Sequence, residues 1–202
     1  MNLNIEDLER MRTSGDIDGL VEAIQKGEYR LRDIAAEMLG ECGDERCIGP
    51  LINMLREGRF GYIRGAAARA LGQLQANEAV PMLIATLNDS IYHTRSGAAR
   101  ALGQIGDERA VEPLIGTLGD EREYISWIAA DALNKIGDCA IDSLIQFIRK
   151  DKGRGVDIAT ILLGRIGDSR AIDVLQDMAQ THPEKYIRET ASKAVESIRN
   201  KL

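Results

Sequence analysis

Residues 94–118 read TRSGAARALGQIGDERAVEPLIGTL, and the fold follows from this stretch. Its second half sets Ala110, Val111, Leu114, Ile115 and Leu118 on a single stripe of a helix with about 3.6 residues per turn. Its first half recurs at 62–74 as YIRGAAARALGQL, where Ile63, Ala67, Ala70, Leu71 and Leu74 form another such stripe. Between the halves stands Gly106-Asp107. Glycine takes the left-handed conformation that ends one helix. Aspartate caps the next helix by accepting its free amide hydrogens. No alternating β-branched segment long enough for a strand interrupts the pattern.

The same unit runs along the chain. Its leucine recurs at Leu39, Leu71, Leu102, Leu133, Leu163 and, as valine, at Val195, in steps of 32, 31, 31, 30 and 32 residues. A period of this size marks a solenoid rather than two unrelated domains. The short step falls near GDCAIDSL, in a turn. Gly-Asp pairs recur at 15–16, 43–44, 137–138 and 167–168, whereas one unit reads Gln75-Ala76, which predicts a looser turn there. Pro50 and Pro113 are predicted to kink their helices, and Pro183 to occupy the first turn of the last helix. Alanine pairs such as Ala67-Ala68 and Ala98-Ala99 allow close helix approach. Gly40, Gly72, Gly103 and Gly164 recur inside a helix at a cost of about 1 kcal/mol each against alanine, which predicts a crossing helix that leaves no room for a side chain.

Composition limits function. The 202 residues are 44% apolar and 29% charged, as in an ordinary globular protein, and no apolar run approaches the roughly 20 residues of a membrane span. The acidic start, without an apolar stretch, carries no signal peptide, and cytoplasmic residence is the expectation. Net charge is −6 and lies wholly in the part up to Glu57, with 7 basic and 13 acidic residues. An acidic end and a neutral body argue against a nucleic-acid groove. Cys42, Cys47 and Cys139 form no C-x-x-C pair; Cys42 and Cys47 align with Leu74 and Ala79 of the next unit and read as small core hydrophobes.

The stretch quoted first resembles the short HEAT-like repeat of the phycobilisome-lyase (PBS lyase) type, and the resemblance covers nearly the whole chain. It implies an all-α, right-handed α-α superhelix of about six HEAT-like repeats. In this arrangement the G-D-x-x-A helix is convex and the A-A-x-A-L-G helix lines the concave face. One domain is expected over 1–202, with an N-terminal capping half-unit at 1–28, core repeats at 29–180 and a C-terminal capping helix at 181–202. The end units depart from the pattern, as a stack requires to shield its open ends.

Removing the core stripe from the second helices leaves four outward columns. In them Trp127, the only tryptophan, stands where the preceding copies have Ser96 and Gly65, predicting a wall beside a shallow hollow. Tyr62, His93 and Tyr124 form a ladder, Arg69 and Arg100 supply forked donors, and Asp131 and Lys135 complete the face. Aromatics and arginine are enriched at binding hot spots, so these eight residues are the candidate site for a protein or peptide partner. Arg32, Arg64, Arg95 and Arg188 are read as structural, pairing with turn carboxylates such as Asp89. Trp127 packed between helices is the alternative to Trp127 as a contact.

Chemistry has few candidates. His93 and His182 are the only histidines, which is too few for a two-histidine metal helix; no metal, no catalytic residue and no cofactor is expected. KGRGVD (152–157) offers glycines and basic residues to an anion, but no strand precedes it. The family resemblance also supports an alternative, a bilin-lyase-like subunit that handles a tetrapyrrole. A HEAT-like DNA glycosylase, pairing Trp127 with Asp131, is disfavoured by the missing basic groove.

Overall fold

The computed structural model describes residues 3–58, 60–150 and 153–201, which form helices and turns with no strand among them. Two compact units result, Met1–Asp107 and Glu108–Leu202. The first holds α1 (Ile5–Ser14), α2 (Ile17–Lys26), α3 (Tyr29–Glu41), α4 (Ile48–Glu57), α5 (Gly61–Gln73), α6 (Val80–Thr86) and α7 (Tyr92–Ile105). The second holds α8 (Val111–Thr117), α9 (Glu123–Ile136), α10 (Cys139–Lys150), α11 (Val156–Ile166), α12 (Ile172–Thr181) and α13 (Lys185–Arg199). Helices pair in sequence order: α2 with α3, α4 with α5 and α6 with α7, then α8 with α9, α10 with α11 and α12 with α13. The second helices of the pairs stack on one another, α3 on α5 on α7 and, in the other unit, α9 on α11 on α13. This is the all-α repeat solenoid that the 31-residue spacing predicts.

The recurring leucine explains the stacking. Leu39, Leu71, Leu102, Leu133 and Leu163 are all fully buried, each contributing roughly 1.5–3 kcal/mol by leaving water. Two glycines of the column meet the crossing helix as anticipated: a Cβ on Gly72 would come 2.6 Å from Ala101 Cα, and one on Gly164 would come 2.8 Å from Ala194 Cα, whereas at Gly40 the nearest atoms belong to the Gln73 side chain. Deeper in the α5–α7 contact, a Cβ on Gly97 would lie 2.8 Å from Gly65 O. The two backbones touch there.

Turns follow the glycine–aspartate logic, with three corrections. Gly106 ends α7 at φ 75°, and the Asp44 and Asp168 carboxylates accept the backbone N–H of Arg46 and Arg170 at 2.9 and 2.8 Å. The turn at Gln75 is not loose. Gln75 itself takes the left-handed conformation (φ 54°), Ala76 N–H bonds back to Leu71 O at 3.1 Å, and the Gln75 side-chain amide donates to Gln104 O at 2.9 Å. Nor do Pro50 and Pro113 kink anything. A short 3₁₀ turn intervenes after each aspartate, so α4 begins at Ile48 and α8 at Val111, and each proline sits in a first turn whose amide has no helical partner to lose. Pro183 lies before the Glu184 cap of α13 rather than inside the helix.

The arginines read as structural form one device, and the partner they share is a backbone carbonyl rather than the turn carboxylate expected, although Arg64 also pairs with Asp89. Arg64, Arg95 and Arg188 each reach back from the start of a second helix to a carbonyl six residues earlier, donating to Gly58 O (2.7 Å), Asp89 O (2.9 Å) and His182 O (2.7 Å). Arg32 donates in the same way to Gly27 O. Each cation satisfies a carbonyl at or beyond the C-terminal end of the preceding helix, where positive charge is favoured.

Candidate functional site

The eight candidate residues fall on three helices in two units. Tyr62 and Arg69 lie on α5 and His93 and Arg100 on α7, whereas Tyr124, Trp127, Asp131 and Lys135 all belong to α9.

In the first unit the side chains play different parts. Tyr62 is half-buried; its ring stacks on Phe60 at 5.4 Å and 7°, with the Arg32 guanidinium 4.9 Å from its centre and donating to its hydroxyl. Arg69 is exposed and pairs with Asp33 of the neighbouring α3 at 2.7 Å, both side chains being close to half open to solvent, so the pair contributes little to stability. His93 is exposed beside the Tyr92 ring at 4.0 Å. Arg100 is exposed and holds no hydrogen bond or ion pair among the described residues. One part of the expected surface is absent. Gly65 is buried, because His93 O of α7 would stand only 3.0 Å from a Cβ placed on it, so this column offers no hollow there. The Ser96 hydroxyl is likewise engaged, donating to His93 O at 3.0 Å.

In the second unit the face is carried by α9. Tyr124 is 43% exposed. Trp127 is half-buried, and its indole N–H points along its own helix to Glu123 Oε1 at 3.3 Å. Asp131 and Lys135 pair with each other one turn apart at 2.8 Å, both exposed. The basic loop after α10 is only partly described: Arg149, Lys150 and Arg154 are exposed, whereas Lys152 lies outside the described residues.

Electrostatics mark the turns rather than this face. Hydrogen bonds from Arg46 and Arg170 hold the Asp44 and Asp168 carboxyls below the usual carboxylate range. At Asp89, burial pushes the carboxyl up, and bonds from the Arg64 guanidinium and the Ile91 N–H outweigh it, leaving the group below its ordinary value. No group of three or more histidine, cysteine, aspartate or glutamate side chains is placed to hold a metal among the described residues. No helix among them is long and apolar enough to cross a membrane.

Sequence reasoning missed two features. Phe60 and Ile91, the caps before α5 and α7, remain 47% and 41% exposed, and their apolar type at a helix cap was the available signal. Cys42 is exposed rather than a core hydrophobe, whereas Cys47 is buried as expected. Cavities among the described residues are built from Glu112 and Phe147, from Arg12 and Cys42, from Asn53 and Phe60, and from Leu3 and Ile34 with their neighbours, and none of these four includes a candidate residue.

HEAT repeats match residues 17–95, 48–134 and 80–162, which together span well over half the molecule. The chain belongs to the HEAT-repeat family. Among curated proteins it is similar to the phycocyanobilin lyase subunit alpha of Synechococcus elongatus, 39% identical over 71 residues, or 35% of this chain and 26% of that protein. The subunit of the same name from a Nostoc species is 34% identical over 89 residues, covering 41% of this chain and 32% of that protein. The alignments thus span no more than about a third of those relatives. Among solved structures, the complex of CpcE and CpcF of phycocyanin lyase from Nostoc superimposes with a TM-score of 0.53 at 24% identity, covering 96% of this HEAT-repeat chain and 84% of that one. At that identity the likeness is one of fold.

Proposed function

We propose that this HEAT-repeat protein is a non-enzymatic scaffold that binds a protein or peptide through the outward face of its second helices, centred on Tyr62, Arg69, His93, Arg100, Tyr124, Trp127, Asp131 and Lys135. The observation that carries the reading is Arg100. It is an exposed guanidinium with no partner among the described residues, on the same helix as exposed His93, whereas Arg64, Arg69, Arg95 and Arg188 of the second helices are engaged on carbonyls or carboxylates. Arginine and aromatic side chains are the usual anchors of protein interfaces. Exposed side chains on helix faces suit a protein better than a small molecule, which is normally enclosed in a concave pocket.

A second reading, a bilin-lyase-like subunit that handles a tetrapyrrole, is favoured by the local similarity to phycocyanobilin lyase alpha subunits. The two are separated by affinity capture with purified protein, mass spectrometry of what is retained, and a bilin titration followed by visible absorption. The scaffold reading expects a retained protein that Arg100→Ala and Trp127→Ala each weaken by about 2 kcal/mol. Substitution of Gln146 on α10 should leave capture unchanged. Capture insensitive to Arg100 and Trp127, together with a saturable shift of the bilin spectrum, overturns it in favour of the second reading.

A further inference from the structure

Two thiols that the sequence places on either side of a Gly-Asp turn meet in space. Cys42 follows α3 and Cys47 ends the short turn before α4, with Gly43, Asp44, Glu45 and Arg46 reversing the chain between them. Their sulfurs stand 2.8 Å apart. A bonded pair lies at about 2.05 Å, so little movement separates this contact from a covalent link. The environments of the two thiols differ. Cys47 is fully buried, whereas Cys42 is exposed and lines a cavity of about 360 Å³ with Arg12, Leu20, Leu39, Glu41 and Asp44. The Asp44 backbone N–H also points at Cys42 Sγ from 3.4 Å. A reagent from solution therefore meets Cys42 first, with Cys47 behind it.

We propose that Cys42 and Cys47 form a thiol–disulfide site in which Cys42 attacks a small disulfide oxidant such as oxidised glutathione and Cys47 resolves the product into an intramolecular bond. In the first step the Cys42 thiolate bonds to one glutathione sulfur and the glutathione S–S bond breaks, releasing one glutathione thiolate. In the second, Cys47 gives up its proton to that thiolate through solvent and attacks Cys42 Sγ, and the mixed disulfide breaks to release the second glutathione. Two protein thiols and one oxidised glutathione become one protein disulfide and two glutathione thiols.

The order of attack matches the surroundings. Burial, with the hydrogen bond and charge of Cys42 adding to it, pushes the Cys47 thiol up to about 12 in the reduced protein, so Cys47 does not react first. Once Cys42 is in a mixed disulfide its hydrogen bond and charge no longer hold the Cys47 proton; burial still disfavours the Cys47 thiolate, and the nearby Arg46 guanidinium acts against that. The resulting bond ties the end of α3 to the turn that starts α4, at the edge of the cavity.

The test treats the reduced full-length protein with oxidised glutathione near neutral pH, alkylates the remaining thiols and maps the peptides by mass spectrometry. The wild-type chain should show a Cys42–Cys47 linked peptide without retained glutathione at either position, with Cys139 outside the linkage. Cys47→Ala should keep glutathione on Cys42, and Cys42→Ala should leave Cys47 unmodified in the folded chain. A wild-type map with glutathione held on Cys42 and Cys47 alkylated overturns the proposal, as does one with both alkylated. That map requires no variant to fold.

Discussion

At Asp89 opposing effects act on one carboxyl. Burial disfavours its charge, and the two-pronged Arg64 contact at 2.7 and 2.8 Å, the Ile91 N–H and the Arg95 charge more than compensate. Its folded-state pKa is therefore depressed. The stability this confers is present above the ordinary carboxylate value near pH 4 and is lost as pH falls through the lower folded value. Asp89→Asn should lower stability by about 1–3 kcal/mol at neutral pH and flatten the acid limb of stability measured by urea denaturation against pH. Trp127 gives a second reading at this scale. Half-buried and bonded to Glu123, the ring should emit between the fully solvated and fully packed limits, with quenching by acrylamide only partly restricted. Of these two residues, the Arg64–Asp89 pairing was legible in sequence. The state of Trp127 was not, because its exposure depends on neighbouring helices whose distance no periodicity specifies.

The helices show why a column of glycine recurs. Alanine is normally the better helix former by about 1 kcal/mol, yet at Gly72 the added methyl would press on Ala101 Cα at 2.6 Å. Gly72→Ala should therefore destabilise by about 1–3 kcal/mol, as overpacking does, with a lowered urea midpoint and an unchanged m-value. A gain in stability would show that α5 and α7 separate readily. This column was readable from the sequence because a recurring local cost implies a recurring contact. The Gln75 turn and the prolines were misread for related reasons. The backbone path of a turn is held by its neighbours even where glycine is missing, with Gln104 O accepting from Gln75. The 3₁₀ turn after each aspartate shifts the helix start by several residues, and with it the meaning of a proline.

For the whole molecule the prediction concerns the outward face. Arg100 has no partner to lose among the described residues, so Arg100→Ala should change stability by less than about 0.5 kcal/mol while weakening partner capture by about 2 kcal/mol. A large loss of stability in that variant would mean the side chain serves the fold instead. Asp131 and Lys135, which satisfy each other, should matter less to capture than Arg100, and single alanine substitutions compare them directly.

The sequence by itself determined the class of fold, the helix pairs, the buried leucine and glycine columns and the structural arginines. All of these repeat, and a contact made in every unit leaves a periodic signal. Only the tertiary structure decided that Gly65 is covered by α7, that Tyr62 meets both Phe60 and Arg32, and that Cys42 meets Cys47 at 2.8 Å. Each of these depends on how closely one particular helix or turn approaches another, a separation set by packing at that place and not by the period of the repeat.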